Sequence, residues 1–96
     1  MLSTTEAQTI VETIRTANRT NDFTAVDTLS DGDVALALYV IETAKDAADL
    51  TVKAFAATAA ERTLAADEAD RYEIALGNAA DLASQVETLR SELYDR

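Results

Sequence analysis

The chain has 96 residues, 18 acidic against 8 basic side chains for a net charge of −10, and neither Cys nor His. That length makes one domain with a modest core. The missing residue types exclude disulfides, thiolate nucleophiles, zinc sites of the usual kinds and imidazole acid–base chemistry. No apolar run approaches the ~20 residues that span a bilayer. The opening MLSTTEAQTIVETIR has no basic stretch ahead of an apolar core, so a cytoplasmic location is expected.

Pro is absent, Gly occurs only twice, and Ala, Leu, Glu and Arg are plentiful. An all-α fold follows from these propensities. The first predicted helix covers about residues 4–18. Ser3 as N-cap and Glu6 three residues on make a capping box, and Ala7, Ile10, Val11, Ile14 and Ala17 form an i, i+3, i+4, i+7 stripe. Asn18 is the expected C-terminal cap.

Residues 19–29 read as a connector. Asp22 is placed to cap one short turn that carries Phe23 and Val26 inward. Ser30 then opens a second helix over about 31–62, with Asp31 and Asp33 in its first turn, where carboxylates favour the helix dipole. At 100° per residue this helix carries two apolar stripes. One holds Val34, Leu38, Ile41, Ala48, Val52, Phe55, Ala56 and Ala59. The other, nearly opposite, holds Leu36, Val40, Ala47, Leu50 and Ala54. The polar face between them is narrow: Glu42, Asp46, Asp49 and Lys53. A helix this apolar is expected to be covered from two sides.

The last helix is predicted over about 67–94. Tyr72, Ala79, Val86 and Leu93 share one heptad position, and Ala75, Leu82 and Leu89 share another, with Leu76 and Ala83 beside them. Gly77 falls outside this seam, which stays in phase across it, so the helix is expected to run through. Between these two helices "ERTLAADEADR" contains no Gly, Pro or Asn. Extended at 100° per residue, the main stripe of the second helix would arrive about 180° away from the seam of the third. A reversal between about Arg62 and Glu68 removes the conflict, with Thr63 or Asp67 as the new cap. The expected architecture is therefore a three-helix up-down arrangement, with a short first helix and a long antiparallel hairpin.

Asp outnumbers Glu ten to eight, Lys occurs only twice, and Ala and Thr are abundant. In composition the chain resembles small acidic helical proteins of salt-loving archaea. The resemblance rests on composition alone, with no motif. It implies a surface of hydrated carboxylates suited to concentrated salt, where repulsion is screened within a few ångströms, and it implies no activity.

The constellations that carry chemistry are weak. "DTLSDGDVAL" places Asp27, Asp31 and Asp33 at ligand positions of an EF-hand loop, but also puts Leu29 at the third position and Leu38 at the twelfth, where a carboxylate is required. Glu42, Asp46 and Asp49 share a helix face without the Glu-x-x-His pairs of helical di-metal sites. Lys45 sits inside the main apolar stripe; a stem laid over apolar surface and a pairing with Glu42 or Asp49 explain it better than a Schiff base. The length invites comparison with small all-α chorismate mutases, and Arg15, Lys45, Arg62 and Arg71 are the basic residues available for a dicarboxylate. Their spacing matches no such site, and the first helix here is the short one. A basic patch with interleaved aromatics is missing. No catalytic residue, cofactor or metal site is expected, and neither nucleic acid nor membrane is an expected partner.

The reading is a small protein–protein interaction or assembly module, acting as a homodimer. The first helix is too short to cover the hairpin, and Leu36, Val40, Leu50, Val86, Leu89 and Leu93 are the residues expected at the dimer interface. The alternative is a small-molecule or minor enzymatic role in an interhelical pocket.

Overall fold

A computed structural model describes residues 2–96. It is all-α, with four helices: α1 (Thr4–Thr20), α2 (Thr24–Asp27), α3 (Asp31–Glu61) and α4 (Ala66–Asp95). Three are long. The fourth, α2, is a single turn inside the segment expected to be a connector. Among the described residues no helix is long and apolar enough to cross a membrane.

The predicted capping box of α1 forms, and the predicted Ser30 cap forms as part of a second box. The Ser3 amide donates to Glu6 Oε1 and the Glu6 amide to Ser3 Oγ, each at 3.1 Å. Ser30 and Asp33 exchange the same pair of bonds at 3.1 and 3.0 Å. Each box satisfies two amides that the first turn would otherwise leave unpaired. The stop of α1 lies later than expected: the helix continues through Asn18, and Asn21 caps it in the left-handed conformation at φ 57°. Asn tolerates that conformation better than other side chains with a Cβ, and both Asn18 and Asn21 have the chemistry to end a helix. The apolar stripe ends at Ala17, so periodicity alone points to Asn18, the earlier of the two.

Asp22 Oδ1 accepts from the Thr24 amide at 3.1 Å and the Thr24 hydroxyl at 2.7 Å, starting α2. Val26 is carried into the core as expected. Phe23 is not; it precedes the turn and stays 39% exposed.

The chain reverses between Glu61 and Ala66. Neither Thr63 nor Asp67 caps α4. Ala65 occupies the N-cap position and offers no side-chain acceptor. Glu68 does the work instead, accepting the Ala65 amide at 3.0 Å. α4 runs unbroken through Gly77, where an added Cβ would meet nothing within 4 Å.

α3 and α4 form the hairpin, and α1 packs against both. The core is Ala7, Val11, Ile14 and Ala17 of α1, Val26 of α2, Val34, Ala37, Ile41 and Ala48 of α3, and Leu82, Val86 and Leu89 of α4. Its position along the hairpin is lopsided. α1 begins beside Ala44, Ala48, Thr51, Asn78 and Leu82, which line a depression with its Thr4 and Gln8. Beyond that level, from residue 49 through residue 81, no residue is buried. The hairpin therefore has a base with three helices in cross-section and a tip with two. In the tip, Phe55 and Tyr72 stack with centroids 5.8 Å apart and planes at 20°, and both remain half-exposed.

Candidate interaction surface

Most of the basic side chains are committed locally. Arg15 reaches Glu12 and the hydroxyls of Ser84 and Thr88. Arg62 pairs with Glu68, and Arg71 lies 3.9 Å from Asp67. Arg90 lies 3.6 Å from both Glu42 and Glu87. The basic residues weighed for a dicarboxylate site are thus spread along the molecule, each beside its own acid, and do not converge.

Lys45 donates to Asp49 Oδ2 at 2.8 Å. That hydrogen bond and the carboxylate's charge raise its pKa above the usual lysine value. A Schiff-base lysine needs the opposite shift, toward the free amine, so the arrangement is an ion pair with a covered stem. Glu42 and Asp49 are engaged by Arg90 and Lys45, and among the described residues no three Asp or Glu side chains converge as a metal-binding group. Asp33 is consumed by the Ser30 cap and Asp31 by Arg96, so the DTLSDGDVAL segment is a helix start.

The surface depressions are open grooves. One, of about 560 Å³, runs between α1 and α2 and is lined by Thr9, Thr13, Thr16, Thr20, Thr24 and Thr28 among others. Thr9, Thr13 and Thr20 donate their hydroxyl hydrogens to the carbonyls of Thr5, Thr9 and Thr16 in their own helix. This leaves methyls and lone pairs toward solvent. A smaller groove is lined by Glu42, Lys45, Glu87 and Arg90, already paired as above, together with Asp46.

The six residues expected at a dimer interface divide into three classes. Val86 and Leu89 are buried by the chain itself, at 3% and 0% exposure. Val40 and Leu93 are half-buried against the core. Leu36 and Leu50 are exposed, at 38% and 67%. α1 lies over α4 at this level, with Arg15 reaching the hydroxyls of Ser84 and Thr88, so Val86 and Leu89 are covered within the chain. Sequence reasoning missed Ile74, which is 71% exposed. It lies outside the heptad seam, and a lone off-seam Ile gives no periodic signal.

Comparison with known protein families, with curated proteins and with solved structures returns no match.

Proposed function

We propose that the protein is a helical interaction module that acts as a homodimer, without enzymatic activity of its own. One observation supports this reading above the others. The chain exposes 6092 Å², whereas a compact monomer of 10.3 kDa exposes about 5,350 Å² by the usual mass scaling. The surplus, roughly 740 Å², is close to the ~800 Å² that each partner loses in a standard interface. The shape agrees. The radius of gyration is 16.2 Å, against about 12.5 Å for a compact chain of this length and about 16 Å for one twice as long.

The acidic surface and scarce lysines support a role in a salt-rich cytoplasm, where apolar association is strengthened. Light scattering behind a sizing column, in molar KCl and across micromolar protein concentrations, tests the reading. A mass near twice 10.3 kDa is expected; a constant mass of one chain overturns it.

A further inference from the structure

We infer that the segment from Asp22 to Leu29 is a strap that Arg96 latches shut, and that it opens and recloses as a unit while α1, α3 and α4 stay folded. This goes beyond the homodimer reading and does not depend on it.

The strap is self-contained in its hydrogen bonding. Asp22 holds the amide and hydroxyl of Thr24. The Thr28 hydroxyl donates to the Ala25 carbonyl at 2.6 Å, and the amides of Asp27, Thr28 and Leu29 donate to the carbonyls of Phe23, Ala25 and Val26. All of these bonds stay inside the strap. Its neighbours close themselves off in the same way. Asn21 ends α1 in the left-handed conformation, and the Ser30–Asp33 box starts α3. Parting the strap from the body therefore breaks no helix ladder on either side. A single turn has little stability of its own, because nucleating it fixes several residues for very few bonds. Along the backbone α2 packs against α1 alone, and Val26 is its one buried residue.

Arg96 supplies the missing tie. Among the described residues it is the one side chain outside the strap that hydrogen-bonds to it. Its Nη1 donates to the Leu29 carbonyl at 2.8 Å and to Asp31 Oδ1 at 3.1 Å. Its Nη2 donates to the Val26 carbonyl at 3.2 Å, and its Nε to Glu92 Oε1 at 3.1 Å. Four of the five guanidinium N–H donors are thus used, and the side chain is only 19% exposed. Glu92 holds the guanidinium from α4 and Asp31 holds it from α3. Its fork then meets two carbonyls at the C-terminal side of the α2 turn, where a helix leaves acceptors over.

Opening would change two surfaces. The strap supplies one wall of the groove against α1, through Asp22, Thr24, Ala25 and Thr28, so the groove has that wall only while the strap is shut. Lifting it would also withdraw Val26 from the core and uncover the apolar base of the bundle.

Native-state amide exchange across a urea series, on the wild type, Arg96→Gln and Arg96→Lys, tests the device. In the wild type the amides of Asp27, Thr28 and Leu29 should exchange faster than those of Ile41 and Leu89. Their urea dependence should be weak, because a strap opening exposes little surface. Arg96→Gln should speed this route by roughly tenfold or more, the factor that one hydrogen bond to a charged group contributes. The weak urea dependence and the helix content by circular dichroism should be unchanged. Arg96→Lys should resemble Arg96→Gln, since an ammonium cannot span two carbonyls and two carboxylates at once. Strap amides that follow the steep urea dependence of Ile41 and Leu89 overturn the independent opening. Exchange unaltered by Arg96→Gln, or full protection in Arg96→Lys, overturns the latch. Collapse of the whole fold in Arg96→Gln overturns both, since a latch holds only its strap.

Discussion

The guanidinium of Arg62 and the carboxylate of Glu68 meet in two parallel hydrogen bonds, Nη1 to Oε1 and Nη2 to Oε2, both 2.7 Å long. They join the end of α3 to the first turn of α4. Glu68 also accepts the Ala65 amide, so one side chain caps a helix and clasps a turn that has neither Gly nor Pro. Together these bonds hold its carboxyl down at about 2, with Arg62 the main cause. A carboxylate whose pKa is lowered by folding contributes stability above its unfolded value, and that contribution is lost as pH falls through the folded value. The melting temperature of wild type should therefore exceed that of Glu68→Gln at pH 7, with the gap narrowing below about pH 4.5 and closing near pH 2. Thermal melts of the two proteins across that range check it. A gap independent of pH would mean that the clasp is not ionic.

Gly77 offers a gain in the other direction. It lies mid-helix with open space where a Cβ would go, so Gly77→Ala should stabilise by about 1 kcal/mol through helix propensity alone. Urea unfolding measures this directly. A loss of stability would show that Gly77 is needed for a close approach that the single chain does not make.

Among the described residues Gln85 is the one buried polar side chain, 6% exposed beside Leu82, Val86 and Leu89. Its Nε2 reaches Asp81 only at 3.4 Å, and its Oε1 has no partner. Replacing it by a side chain of similar shape removes an unmet acceptor worth about 1–3 kcal/mol. Gln85→Met should therefore raise the urea midpoint, and a lowered midpoint would reveal a hydrogen bond to ordered water.

A net charge of −10 on so elongated a body is self-repelling when unscreened. Helical circular dichroism and melting temperature, followed at fixed protein concentration from millimolar to molar KCl, should rise steeply as the screening length shortens from tens of ångströms to about 3 Å. A flat response would remove the case for a salt-adapted protein.

Much of the fold was legible from local chemistry. Ser3 and Glu6 announce one helix start because a capping box is written in four adjacent residues, and Ser30 announces another as an N-cap followed by first-turn carboxylates. The reversal after Glu61 was legible only indirectly, through the phase conflict between the stripe ending at Ala59 and the seam beginning at Tyr72. Its actual cap was not, because Glu68 reaches back to a backbone amide at an Ala, a position with no residue signature. The candidate surface was legible in part. Stripe analysis marks Leu36 and Leu50 as apolar residues in excess of one core, but it also marked Val86 and Leu89, since periodicity reports which residues share a face and not how far a neighbouring helix extends over it. Ile74 escaped because it belongs to no stripe.

The confinement of every buried residue to the base has a consequence for how the molecule opens. Local unfolding costs least where few apolar contacts must be broken, and the tip, from residue 49 to residue 81, has no buried residue to hold it. Amide hydrogen exchange in the isolated chain should therefore fall into two populations along the same unbroken helices: fast at the tip, where the hairpin parts and recloses by itself, and slow around Ile41 and Leu89, which are released only when everything is. α3 and α4 would each behave as two thermodynamic segments joined without a break in the backbone, the outer one acquiring protection only when something is bound to it.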